Sequence, residues 1–321
     1  MGQRALAARL WQSLIVVAVV TTISFFIIRS APGDPFAYDN PRITPAIRAQ
    51  LRAEHGYDKP LPQQFALYIW ALAHGDLGYS VSKQGPVSRS IAETLPRTLA
   101  LTGLSLVLSL LLGVIIGTLQ AARRDGWFDR LSSGFLLFFY SLPDFWGALM
   151  ALLVFAQWWQ LFPAGGMVEE AVHDYLAPWP AFLDRLRHLV LPVASFTLLT
   201  LAGIARYQRA AMLEVLPSDF VRTARAKGVP ERSILWRHAL RTGLTPIITL
   251  LGILFPALLG GVLFIEKVFQ WPGMGLLAAN AIIALDYDLV TATVIVGSLM
   301  VIVGNLLADF LHAVLDPRVR V

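Results

Sequence analysis

Between Arg97 and Arg123 the chain reads TLALTGLSLVLSLLLGVIIGTLQAA (98–122), twenty-five residues without a full charge. A helix rises 1.5 Å per residue, so about 20 apolar residues cross a hydrocarbon core about 30 Å thick. This run spans it with residues to spare. Five other stretches repeat the pattern: Leu10–Ile28 between Arg9 and Arg29, Leu131–Val168 interrupted only by Asp144, Leu189–Ala205, Thr242–Ile265 and Leu289–Ala308. The third is read as one tilted helix with an exit loop, and the fourth, at 17 residues, is the shortest. The expectation is an all-α, polytopic membrane protein with six transmembrane helices. Composition agrees. Of 321 residues, 56% are hydrophobic and 15% charged, against about 25% charged in soluble domains. That excludes a soluble enzyme, a nucleic-acid-binding module and a disordered chain. With no cysteine, disulfides, thiolate catalysis and cysteine-ligated metals are excluded as well.

The net charge of +5 acquires meaning from where the basic residues fall. Short cytoplasmic loops are enriched in Lys and Arg. The amino terminus (Arg4, Arg9), loop 123–130, loop 206–241 and the tail (Arg318, Arg320) together carry fifteen, whereas loops 159–188 and 266–288 carry three, Arg185, Arg187 and Lys267. Both termini are therefore expected in the cytoplasm, and the charge is a topology signal with no nucleic-acid partner implied. The first apolar run is longer than a signal-peptide core and reads as an uncleaved anchor.

Segment 30–97 is expected outside the membrane on the far side. Pro32-Gly33-Asp34-Pro35 ends the first span; short helices are expected near 45–55 and 62–73; Val87, Ile91 and Leu95 suggest an interfacial helix before Pro96 begins the second span. Two readings stay open for this segment, a docking or gating surface and a cap over helix ends.

Loop 206–241 is the longest connection on the basic side. Ser218 is a good N-cap, Asp219 suits the positive end of a helix dipole, Gly228 fits a left-handed C′ position and Pro230 fits the first turn of a following helix. The pattern gives a short helix, a sharp turn and a second helix returning to the membrane at Thr242, a compact unit able to transmit a push.

Here Arg222-Thr-Ala-Arg-Ala-Lys-Gly228, followed by Arg237-His-Ala-Leu240, resembles the "EAA" loop of ATP-binding-cassette importer permeases, more narrowly the B-type permease of dipeptide and oligopeptide importers. The resemblance extends over nearly the whole chain, through Pro32-Gly-Asp-Pro35, Asp58-Lys-Pro-Leu-Pro62, Gly75-Asp-Leu-Gly78, Leu95-Pro-Arg-Thr-Leu99, Ser141-Leu-Pro143, Met212-Leu-Glu-Val215, Val268-Phe-Gln-Trp-Pro-Gly-Met-Gly275 and Leu315-Asp-Pro-Arg318. It implies a type I importer permease fold in a bacterial inner membrane. It also implies a first span with its extracytoplasmic segment (1–94) and a five-helix core (95–315). The implied partners are a second homologous permease, two cytoplasmic ATPases and an extracytoplasmic substrate-binding protein, with alternating access to a peptide cargo. Nickel chelates or glutathione are alternatives. In the loop, Phe220, Val221 and Ala224 would fill a groove on the ATPase, Arg222 and Arg225 would supply polar contacts, and Gly228 the turn, alongside Ser218 and Asp219. Arg222 stands where the general motif has its name-giving Glu.

The chain lacks a G-x-x-x-x-G-K-[ST] phosphate loop, so ATP and Mg²⁺ are expected on the partner ATPases, with no cofactor here. No His-x-x-x-His pair or nucleophile elbow occurs, which argues against a metal site and an embedded hydrolase. An ion-gradient-driven transporter is the other rival, and Asp144 alone is thin support for it. For the path or gate the candidates are Pro143, Asp144, Trp271, Pro272 and Gly273. Asp144 either faces the path, or caps a helix broken at Pro143, or pairs with a polar neighbour on the partner permease. Trp271 is expected in an interfacial turn, with Trp70, Trp158, Trp159 and Trp179 in an aromatic belt.

Overall fold

The computed structural model describes residues 3–34, 36, 44–54 and 56–315, without the side chains of 3–8, 10, 48, 249, 251–261, 308 and 310–315. Pro35, Arg318, Arg320 and the 316–318 end of the last motif lie outside them, as do the side chains of Arg4 and His312. Among the described residues the regular structure is helical, apart from one two-residue antiparallel pair, β1 (Tyr79–Ser80) and β2 (Gly85–Pro86). The helices are α1 (Gln3–Ser30), α2 (Pro45–Glu54), α3 (Leu61–Ala73), α4 (Val87–Ala122), α5 (Trp127–Tyr140), α6 (Asp144–Ala151), α7 (Pro178–Val215), α8 (Asp219–Ala226), α9 (Glu231–Ser233), α10 (Leu240–Gly243), α11 (Thr245–Val268), α12 (Met274–Ile283) and α13 (Tyr287–Leu315). Wider π-helical turns extend α6 over Leu152–Trp158 and bridge α9 to α10 over Ile234–Ala239.

Among the described residues, Trp11–Ser30, Val87–Ala122, Pro178–Val215 and Tyr287–Leu307 are each long and apolar enough to cross a membrane. A fifth candidate is a bent pair, Trp127–Tyr140 with Asp144–Trp158, turned by 105°. Instead of one tilted helix, the third apolar stretch is thus broken. Pro143 disfavours helical geometry at Leu142 and itself takes an extended conformation, φ −61° and ψ 136°. The fourth stretch departs in the other direction. Its helix has 38 residues, not 17: the exposed Arg187 and Arg206 bound the apolar run without ending the helix. Nor does Pro96 begin a helix: α4 runs through it, with Val87 and Ile91 on its early turns already packed.

The described residues divide into two compact units, one within 3–97 and 273–303, the other within 98–272 and 304–315. In the first, α4, α12 and α13 close on Val87, Ile91, Leu277, Ala281, Leu289 and Ala292. Phe25 of α1, Tyr68 of α3 and Ile295 of α13 make a second cluster. Asp286 caps α13 through the Leu289 amide (3.3 Å) and receives the Ser80 hydroxyl (2.6 Å) and the Ser82 amide and hydroxyl (2.9 and 2.7 Å). Arg29 donates to Asp288 (2.6 Å) and Gln64 (2.7 Å) and lies 3.9 Å from the Tyr57 ring centroid. Burial, with Asp288 nearby, pushes the Tyr57 hydroxyl well above its ordinary range. Tyr57, Gln64, Ser80 and Ser82 of segment 30–97 thus contact the ends of α1 and α13.

In the second unit, α4, α6, α7 and α11 enclose Leu101, Ala148, Leu191, Phe196, Val262, Ile265 and Phe269. Trp271 joins this core, buried, its amide bonded to the Glu266 carbonyl (2.8 Å). It is a core residue, not an interfacial anchor. Trp70, Trp158, Trp159 and Trp179 are exposed.

Candidate functional site

The basic loop begins as helix: α7 continues to Val215. Ser218 is the N-cap of α8 in the expected extended conformation, yet its hydroxyl donates back to the Val215 carbonyl (2.6 Å) and makes no cap bond. Its carbonyl accepts the Val221 and Arg222 amides, both at 3.1 Å. Asp219 occupies the first turn, where the helix dipole favours a carboxylate. The far end closes as a Schellman motif: the Gly228 amide bonds to Arg225 (2.9 Å) and the Val229 amide to Ala224 (3.2 Å). Gly228 has φ +75°, a left-handed geometry that costs a side-chain-bearing residue about 1 kcal/mol or more. Pro230 precedes α9 as its N-cap, one position earlier than expected.

The faces of α8 are then unequal. Val221 is fully buried with Ala121, Met212, Ile234 and Ala239, and Ala224 packs beside it. Of the three side chains expected to fill a groove on the ATPase, Val221 is held within this chain, Ala224 is half-buried and Phe220 is 45% exposed. Arg222 is exposed, 3.6 Å from Asp219. Arg225 grips Glu231 with Nε and Nη2 (2.6 and 3.2 Å), bracing the Gly228 turn. That bond holds the Glu231 carboxyl below its ordinary range and raises Arg225. An open depression lined by Pro230, Arg232, Ser233 and Trp236 lies on the same loop.

Beneath this surface, the last turns of α7 meet α4 and α5. A Cβ on Gly117 would overlap the Ala205 carbonyl and stand 2.8 Å from Gln208 Cβ and 2.9 Å from the Arg209 amide nitrogen; one on Gly113 would stand 2.6 Å from Ile204. The two glycines let helix backbones approach as closely as small residues permit in membrane proteins. Gln208, buried, donates to Thr118 (3.2 Å). Arg209 pairs with Asp129 through two bonds of 2.8 Å, and Asp129 also accepts the Asp125 amide (3.0 Å) and the Ser133 hydroxyl (3.3 Å). Sequence reasoning missed both the Arg209–Asp129 ion pair and the Gln208–Thr118 hydrogen bond. Only Gly113-x-x-x-Gly117, on the run that opened the reading, was a visible signal for this crossing.

Of the path candidates, Pro143 and Asp144 are exposed at the amino end of α6, with Pro143 as its N-cap and Asp144 in its first turn. Trp271 and Ala148 share the second unit's core, which Pro143 and Asp144 do not join. Gly273 is the N-cap of α12.

Comparison with known proteins agrees with this architecture. Residues 109–321 match the family described as binding-protein-dependent transport system inner membrane component, and residues 3–102 match its N-terminal companion. The oligopeptide transport system permease protein AppB of Bacillus subtilis (strain 168) is 35% identical, with 97% of this chain and 98% of that protein covered. The dipeptide transport system permease protein DppB of Escherichia coli (strain K12) is also 35% identical, with 94% of each covered. With both family models matched in order and full-length relatives at that identity, the chain belongs to the inner membrane components of binding-protein-dependent transport systems.

Proposed function

We propose that the chain is one permease subunit of an ATP-driven importer whose cargo is a peptide, and that it couples to ATPase subunits through α8. The observation that carries this reading is the compact 206–243 unit: a Schellman-closed helix anchored from below by Val221 and Met212, with Phe220 and Arg222 left outside. A rigid, partly apolar protrusion on the basic side suits a docking element. Peptide cargo rests on the relatives' names, AppB for oligopeptides and DppB for dipeptides.

The assembly has a second homologous permease, two ATPases that bind ATP and Mg²⁺, and an extracytoplasmic binding protein. This chain does no covalent chemistry itself. Six spans with both termini in the cytoplasm complete the topology, α11 and the bent pair each counting as one. Residues 1–94 form the peripheral part and 95–315 the permease core. Asp144, exposed at the positive end of α6, faces the path or the second permease; if Asp144→Asn leaves uptake of cationic and neutral peptides equally unchanged, the path role is wrong.

The deciding experiment co-purifies the full chain with its ATPases. Phe220→Asp is expected to release the ATPases while the permease stays membrane-inserted and folded. Uptake that ignores ATP but collapses with the proton gradient would overturn the proposal.

A further inference from the structure

A single turn of α7 holds three neighbours. Gln208 bonds Thr118 on α4, Arg209 clamps Asp129 on α5, and Met212 is buried in the cluster that seats α8. A Cβ on Gly243 would lie 2.5 Å from Met212 Sδ, so α10 presses on the same turn. A load on α8 therefore reaches α7 through packed apolar surface.

How it leaves α7 is a separate question. Packed aliphatic surfaces can slide, because dispersion and burial are non-directional. A bidentate guanidinium–carboxylate pair cannot, since two parallel bonds fix angle as well as distance. Asp129 has further partners on its own side, the Asp125 amide and the Ser133 hydroxyl, so the carboxylate is immobilised on α5. The carboxyl end of α5 is Tyr140, three residues before the Pro143 break and Asp144. Near the clamp, Gln120 donates to Ser132 (2.9 Å) and Ser133 (3.3 Å), bracing α4 against α5.

We infer that Asp129 and Arg209 form the strut that makes the broken span follow the coupling helix. Both are positioning residues, acting on the path through α5. Without the pair, α8 would still dock and ATP would still be hydrolysed, but α5 would lag and cycles would be lost. This inference rests on the importer reading.

The test uses the complete transporter in proteoliposomes with its binding protein and a radiolabelled dipeptide, reading ATP hydrolysed per dipeptide imported. Asp129→Asn is the informative variant, because the Arg209 side chain is 30% exposed and can be hydrated when its partner is neutralised. The expected result is unchanged ATPase association with the hydrolysis-to-uptake ratio raised about tenfold, within the range of measured coupling energies. The exchange Asp129→Arg with Arg209→Asp is expected to bring the ratio most of the way back, which a role in stability alone would not require. An Asp129→Asn complex that assembles and keeps the wild-type ratio overturns the strut. So does a ratio that rises but is left unrestored by an exchange variant of wild-type assembly. Should Asp129→Asn not assemble, Asp129→Glu, which keeps the charge and shifts the geometry, must raise the ratio or the inference fails. Absence of ATP-dependent uptake in the wild type would instead refute the importer reading.

Discussion

Two arginine–aspartate pairs tie distant parts of this chain together, and they are built differently. Arg209 gives both of its bonded groups to one carboxylate, and Asp129 is nearly enclosed while Arg209 keeps 30% of its side chain exposed. Arg29 divides itself: one bond to Asp288, one to Gln64, a face against Tyr57, and an Nε with no hydrogen-bond partner among the described residues. Both members of this ion pair are enclosed, Arg29 at 9% and Asp288 at 15% exposed. The first pair fixes an orientation between two helices. The second is a hub that gathers α1, α3 and α13 around one cation without fixing any one angle. A pair that must transmit movement benefits from the first construction; a cap that must hold a helix end needs only the second.

The sharpest way to break the comparison is to remove one charge from each pair. Arg209→Met leaves Asp129 buried without its cation, and Asp288→Asn leaves Arg29 buried without its anion. Each is expected to cost about 3–5 kcal/mol, the penalty of an uncompensated buried charge. The asymmetry comes next. Asp129→Asn is expected to cost only about 1.5 kcal/mol, close to one charge-assisted hydrogen bond, because Arg209 can turn to water. Denaturant unfolding of the purified chain in mild detergent measures all three; equal losses for Asp129→Asn and Asp288→Asn would erase the distinction.

Beside the strut, Gly117→Ala tests whether the orientation depends on close backbone approach. The new methyl meets the Ala205 carbonyl and Arg209 backbone, which cannot swing aside as a flexible side chain would. A loss of about 1–3 kcal/mol is expected, and Gly134→Ala, where a Cβ meets nothing within 4 Å, is the control expected to be neutral or mildly stabilising. Similar losses at both would place the cost in helix propensity.

The contrast also explains what could be read from the sequence. Apolar runs and punctuating residues are local, so the helices, the Ser218 N-cap and the Gly228 turn were legible. Partnered charges were not. Arg209 reads as loop because nothing near it in sequence reveals a carboxylate at 129, eighty residues away. The same blindness shortened α7 and hid Arg29–Asp288, whose partners are 259 residues apart. Trp271 was misplaced for a related reason: an aromatic beside Pro272 and Gly273 reads as interfacial until Phe269 and Ile265 are found packed around it. At α8, the spacing put Phe220, Val221 and Ala224 on one face, yet Val221 and Ala224 pack against the chain's own core while Phe220 stays exposed; periodicity alone cannot say whether a side chain turns toward that core or a partner.

The smallest effect is expected where the ion pair is bidentate but exposed. Arg225–Glu231 shares the two-bond geometry of the strut, so it separates geometry from burial. Water screens both groups, and exposed pairs contribute little. The Glu231 carboxyl is held below its ordinary range in the fold, so its contribution is present above the unfolded value, about 4.3. It is lost only as pH falls through the lower folded value. Near neutral pH, Glu231→Gln should therefore leave the thermal midpoint within error and the ATPases bound, since Gly228 and Val221 hold α8 independently. Below the ordinary Glu range the wild type should lose its slight advantage over the variant. A large destabilisation by Glu231→Gln at neutral pH would mean that bidentate geometry alone confers strength, and the contrast between buried strut and exposed brace would fail.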